Sequence, residues 1–161
     1  MHTTTTTTLP SADQIERNKV TAMRHTEAMV DGNLAALDDI LDPGWVNHPI
    51  DFHEGPGIDG FKAKSGWLHE HFAFRFDHQD VSIDGDKVWI RSLVSGTARG
   101  EFMGHDLAGT PVAFTTMECH RFEDGKIVES WRLQDHYAMP VQPGAIPNVM
   151  NRDLVPYQGW R

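Results

Sequence analysis

Three observations predict an α+β fold, with helices packed on one side of a curved antiparallel sheet. Helical periodicity is confined to residues before about 72, and strand alternation runs from about 74 to 137. Within the strand region, Phe122-Glu123-Asp124-Gly125-Lys126-Ile127 carries the turn chemistry of a two-residue hairpin, because Asp-Gly supplies the positive φ angles such a loop needs.

In chain order, His2 and the six Thr that follow form a low-complexity start, expected to be disordered over 1–10. Ser11 and Gln14 stand at capping-box spacing, so a helix is expected from Ile15 to Val30, its stripe made by Ile15, Ala22, Met23, Met29 and Val30. Gly32 stops it. Asn33 then caps a shorter helix carrying Leu34, Leu37, Ile40 and Leu41, which Asp42-Pro43-Gly44 ends. Trp45 to Pro49 reads as a short strand, and alternation lets only one of Asn47 and His48 face inward. Two Pro and two Gly shape a rim loop over 49–57. A third helix follows from Ile58 to Phe72, weakened by Gly60 and Gly66. Strands then span Phe74–Ile83 and Val88–Ala98, joined at Asp84-Gly85-Asp86, and the hairpin strands span 112–122 and 127–137. After Pro140 the composition shifts to a Pro-rich tail over 140–161, which cannot continue the sheet and whose apolar residues suggest docking.

Composition narrows the function. At 161 residues, one core domain over 11–139 is expected. The net charge of −9, with no basic run, argues against nucleic acid and anionic membranes as partners. The single cysteine, Cys119, rules out an internal disulfide and fits a reducing, cytoplasmic setting; neither a signal peptide nor a membrane-spanning run is legible.

Counting outward from Asp124-Gly125 gives a register: Phe122 opposite Ile127, His120 opposite Glu129, Glu118 opposite Trp131, Thr116 opposite Leu133, Phe114 opposite Asp135. All ten then share one face. An aromatic-rich face with Glu118, His120 and Asp135 embedded in it has the composition of a ligand pocket walled by Phe114, Trp131 and Leu133. Arg121, Arg132 and Cys119 fall on the opposite face, which removes Cys119 from reach of His120 as a nucleophile. No metal site is expected, since His69 and His71 point apart on a helix and the ten histidines are scattered. The alternative for each site residue is structural: a loop-capping Asp135, a satisfied core His120 paired with Glu118, a core Trp131.

The segments Ile83-Asp84-Gly85-Asp86-Lys87-Val88, Gly96-Thr97 with Gly100-Glu101-Phe102-Met103-Gly104, His120-Arg121-Phe122-Glu123-Asp124-Gly125-Lys126-Ile127-Val128-Glu129-Ser130-Trp131, and Asp135 resemble the SnoaL-like polyketide cyclases, a branch of the nuclear transport factor 2-like superfamily. The resemblance spans about 12–139. It implies a cone-shaped α+β barrel, an apolar pocket open at one end, a homodimer, and intramolecular aldol closure of a hydrophobic polyketide-like substrate without metal or bound cofactor. It further implies that Asp135 is the acid/base, that His120 assists, and that Asn47 is a polar substrate contact, with Glu118 a departure from the pattern. The resemblance leaves room for an epoxide hydrolase of the same fold, with Arg91 or Arg99 bridging Asp135 and Glu118. A hydroxylation-assisting protein and a non-catalytic binding domain are also open.

Overall fold

The structure, a computed structural model, describes residues 10–50, 54–141, 144 and 145. The element order is α1 (Ala12–Asp31), a 3-10 turn (Leu34–Ala36), α2 (Leu37–Ile40), β1 (Leu41–His48), α3 (Gly57–His71), β2 (Phe72–Asp84), β3 (Lys87–Ala98), β4 (Glu101–Phe102), β5 (His105–Asp106), β6 (Pro111–Glu123), β7 (Lys126–Gln134) and α4 (Ala138–Val141). The Thr-rich start and nearly all of the Pro-rich tail lie outside the described residues.

The α+β class holds, with the N-terminal helices packed on a five-stranded sheet of order β1-β7-β6-β3-β2. Two features refine the expected cone-shaped barrel of a curved antiparallel sheet. The sheet is not closed, its edges being β1 and β2, and β1 runs parallel to β7. Among the described residues no helix is long and apolar enough to cross a membrane.

Local chemistry accounts for most boundaries. Ser11 accepts a hydrogen bond from the Gln14 amide at 3.2 Å, and Gly32 ends α1 in the left-handed region at φ 69°. Asn33 makes no side-chain cap, and the second helix is split into the 3-10 turn and a single α turn. Asp42-Pro43-Gly44, expected to stop that helix, lies inside β1, where the register with β7 shifts between Leu41 and Val46; a bulge accepts a proline that a regular ladder cannot.

The hairpin turn forms as predicted, with Glu123 opposite Lys126, Asp124 at φ 49° and Gly125 at φ 79°. The register beyond it does not. A bulge follows the Phe122–Ile127 pair, so His120 meets Ser130, Glu118 meets Arg132 and Thr116 meets Gln134. One extra residue on β7 turns every later side chain to the other face. Ser130, Arg132 and Gln134 therefore join Glu118 and His120 on the inner face. Trp131 and Leu133 go outward with Cys119 and Met117, and Asp135 follows them past the strand end. This corrects the expected shared face for Trp131, Leu133 and Asp135, and the expected outward Arg132.

Two apolar clusters flank the inner face. One joins Ala22, Leu37, Trp45, Phe61, Ile90 and Ile127, and the other Phe72, Val94, Phe102, Phe114 and Met139. Burial of each large side chain here contributes about 1.5–3 kcal/mol.

Candidate active site

Between the clusters the inner face carries a buried polar group drawn from four elements. From β6, Glu118 and His120 lie two residues apart on one strand face, with Nε2 of His120 3.3 Å from Glu118 Oε2. From β7, Arg132 brings Nε to 3.2 Å of Glu118 Oε1, its guanidinium stacked over Phe61 of α3 at 5.0 Å. Both are ionic contacts without hydrogen-bond alignment. The Trp45 indole of β1 donates to Ser130 Oγ at 2.9 Å, and Ser130 lies 2.8 Å from His120 Nδ1. Because the indole can only donate, the Ser130 hydroxyl keeps both its proton and a second lone pair for Nδ1, and which of the two it uses follows the His120 tautomer. From α1, His25 completes the group, its ring 4.8 Å from that of His120 and stacked on Phe61 at 5.1 Å.

The electrostatics follow from these neighbours. Burial pushes the Glu118 carboxyl up, but Arg132 and His120 outweigh it and hold the group well below the usual carboxylate range, so it is an anion. Burial, reinforced by the nearby His120 and Arg132, holds His25 well below its ordinary 6.5, so it is neutral at pH 7. On the other face, burial pushes the Cys119 thiol up to about 11.

An open cleft lies above the group, between α1, α3 and the sheet. Its apolar lobe is narrow and is lined by Met29, Leu68, Phe72, Phe74, Phe76 and Phe114 among others, with Ser65, His69, Arg132, Gln134 and His136. Its polar lobe is lined by Asn47, Pro49, Lys64, Leu133 and the same Arg132, Gln134 and His136. Buried polar atoms without a hydrogen-bond partner gather on these walls: Ser65 Oγ, Arg132 Nη2, Gln134 Oε1 and Asn47 Oδ1. Such atoms cost about 1–3 kcal/mol each, and here that cost falls on residues that also line the cleft.

The predicted residues are distributed unevenly over this geometry. Phe114 and Asn47 line the cleft, and of the Asn47–His48 pair it is Asn47 that is buried. Glu118 and His120 lie behind Arg132, fully buried. Trp131 stacks on His48 at 5.6 Å on the outer face, and Leu133 touches the rim of the polar lobe with its side chain 74% exposed. Asp135 is exposed just past β7, and its carboxylate accepts the Ala138 amide at 3.2 Å. Four buried residues were not foreseen: His25, Lys64, Arg132 and Glu54, whose carboxylate accepts from Asn47 Nδ2 at 2.7 Å and lies 3.4 Å from Lys64 Nζ. The spacing Asn18, Ala22, His25 on one helix face was the available signal for His25.

His25, Glu118 and His120 also form a set of ligand-type side chains, their donor atoms within 4.8 Å of one another, a grouping that sequence spacing did not reveal. Donors sharing one ion at about 2.1 Å lie closer together than that. The Arg132 cation already holds one Glu118 oxygen and would repel a divalent ion, so the set suits an ion pair better than a metal.

Comparison with known proteins gives the geometry a family. The SnoaL-like polyketide cyclase family model matches residues 19–142. IdmH, a candidate polyketide cyclase from Streptomyces antibioticus, is 30% identical, aligns over 79% of this chain and 98% of its own, and superposes with a TM-score of 0.69. AclR, a candidate hydroxylase from Streptomyces galilaeus, is 25% identical over 84% of this chain and 89% of its own, with a TM-score of 0.72. A candidate polyketide cyclase from Bacillus cereus shares the fold at 20% identity, with coverage of 85% and 87% and a TM-score of 0.73. No curated protein matches in sequence. The family model covers most of the chain and the fold agrees with it: the chain belongs to the SnoaL-like polyketide cyclase family.

Proposed function

We propose that the cleft performs polyketide-cyclase chemistry, an intramolecular aldol-type ring closure of an apolar, carbonyl-bearing substrate. The observation that carries this reading is Arg132. It lies in the wall shared by both lobes, is held by Glu118, and keeps Nη2 buried and unfilled. A fixed cation facing a substrate carbonyl stabilises the enolate and the alkoxide that follow, and its anchorage by Glu118 means that it need not reorganise during the reaction. The apolar lobe folds the chain so that its reacting ends meet, worth several kcal/mol of barrier.

The acid/base group belongs to the mouth of the cleft. The resemblance assigns it to Asp135, which stands between two cleft-lining residues, Gln134 and His136. The observation favouring His136 instead is that its ring lines both lobes, whereas Asp135 points outward. With a linear polyketide ester carrying an enolisable carbon, ring closure is followed by mass spectrometry. In the variant that removes the proton carrier, Asp135→Asn or His136→Gln, turnover falls by roughly 10²–10⁴-fold with little change in affinity. Arg132→Lys keeps the charge but loses the planar fork, and turnover drops by about 10²-fold. Undiminished turnover in all three would overturn the proposal.

Glu118 and Arg132 sharing one face also meets part of what a hydrolytic relative requires. Arg91 and Arg99, the bridges foreseen from sequence, are engaged elsewhere, with Asp80 and with the His69 carbonyl. Release of a diol from an epoxide probe would favour hydrolysis over ring closure.

A further inference from the structure

We infer that Ser130 and Trp45 are positioning residues for Arg132, acting through His120 and Glu118 without touching the substrate. The strand register gathers the group into one block on the inner face: His120 lies opposite Ser130, and the next inward pair is Glu118 opposite Arg132. The block closes on itself. Ser130 Oγ lies 2.8 Å from His120 Nδ1, His120 Nε2 lies 3.3 Å from Glu118 Oε2, and Glu118 Oε1 lies 3.2 Å from Arg132 Nε, on the strand that carries Ser130. Trp45 enters from β1, where Asn47 pairs with Ser130, and its indole donates to Ser130 Oγ at 2.9 Å. The bulge that turned Arg132 inward also turned Ser130 inward, so one backbone feature supplies both ends of the circuit.

Two observations set this block apart from ordinary core packing. Ser130, His120 and Glu118 are buried beside a cluster that includes Phe61, Ile90 and Ile127, where apolar side chains of similar shape would fill the space without desolvating polar groups. The block also has an outlet, because Arg132 lines both lobes of the cleft. An imidazole held at one nitrogen cannot swing about χ2, so Ser130 fixes which nitrogen faces Glu118. The Glu118 carboxylate, placed between His120 and Arg132, then holds the guanidinium in one orientation. Without the Ser130 hydroxyl the ring, the carboxylate and the cation loosen in turn, and a cation that must reorganise stabilises developing charge less well than a fixed one. The inference rests on Arg132 being the group that meets that charge in the proposed reaction.

The test is hydrogen exchange of the Arg132 side-chain Nε–H, followed by NMR of the nitrogen-labelled protein and assigned through its loss in Arg132→Lys. In Ser130→Ala, and separately in Trp45→Phe, that proton should exchange at least about tenfold faster than in the wild type, because local opening is less opposed. Ser92→Ala is the control: its hydroxyl lies 2.8 Å from His78 Nδ1 in a second Ser–His pair of the same sheet, and its loss should leave the Arg132 rate unchanged. In the ring-closure assay, Ser130→Ala should lower kcat about tenfold with KM unchanged, and the fall should vanish when Arg132→Lys is already present. An Arg132 rate that rises in neither variant, a rate that rises equally in Ser92→Ala, or a fall in kcat that persists undiminished beside Arg132→Lys overturns the assignment. A wild type that closes no ring fails the proposed reaction alone, and the exchange rates then decide the positioning by themselves.

Discussion

His25 shows how much a single side chain reveals when its surroundings are complete. Both ring nitrogens are buried without a hydrogen-bond partner, and the groups around it are His120 and Glu118 of β6, Arg132 of β7 and Lys64 of α3. Burial and the neighbouring positive charges keep its folded pKa well below the 6.5 of an unfolded histidine. The unfolded chain therefore takes up the proton first as pH falls, and stability is lost from about 6.5 downward. One proton corresponds to about 1.4 kcal/mol per pH unit once the unfolded histidine is fully charged. Urea denaturation at pH 7.5, 6.0 and 5.0 should show that decline in the wild type and a shallower one in His25→Leu. Parallel pH profiles for the two proteins would mean that His25 is already charged in the native state. Glu118 acts in the same sense lower down, its stabilisation being present above about 4.5 and lost as pH falls further.

At the scale of elements, two glycines separate turn chemistry from close packing. Gly125 has φ 79°, and a Cβ there would meet only the end of Gln14 at 3.7 Å, so Gly125→Ala costs backbone strain alone, about 1–2 kcal/mol. Gly96 lies in β3, where a Cβ would stand 2.1 Å from the Ala73 carbonyl oxygen of β2, a backbone atom that cannot step aside. Gly96→Ala should therefore cost about 3 kcal/mol or more and displace β2, whose Phe72, Phe74 and Phe76 line the apolar lobe. Thermal melts of both variants rank them, and a Gly96→Ala protein as stable as Gly125→Ala would contradict the β2–β3 approach. The same elements show where sequence reading stops. Ser11, Gly32 and Asp124-Gly125 act through residues a few positions away, so their elements were legible to within about three residues at each end. The bulge beyond Phe122–Ile127 has no such marker, since Val128 and Glu129 are ordinary strand residues, and this one extra residue exchanged Trp131, Leu133 and Asp135 for Ser130, Arg132 and Gln134 on the inner face. Glu118 and His120 were found because they precede the bulge. His25 and Lys64 reach the site from helices distant in sequence, through packing that no local pattern encodes.

At the scale of the molecule, the bulge creates a surface. The outward residues of β3, β6 and β7 include Trp89, 42% exposed, Met117, 42%, and Leu133, 74%, on adjacent strands: Met117 pairs with Leu133, and Cys119 lies between Trp89 and Trp131. Val46 on the edge strand β1 adds a further 48% exposed side chain. A contiguous apolar strip of this kind on one sheet face is covered in stable proteins, and a two-fold pairing of identical strips is the simplest cover because each copy supplies what the other lacks. We propose a homodimer paired through this strip, which would bury Trp89, Met117 and Leu133, with Cys119 already enclosed and Val128 displaced into the bulge. Light scattering at micromolar concentration should give twice the chain mass of 18.1 kDa. Trp89→Glu/Met117→Glu places two charges on adjacent strands of the strip and again across the two-fold axis, which should shift the mass to that of the single chain while the cleft on the other face keeps its ligand affinity. A wild-type protein that scatters as 18.1 kDa at these concentrations would leave the strip without a second copy to cover it. A dimer unaffected by both charges would place the two-fold contact elsewhere on the molecule.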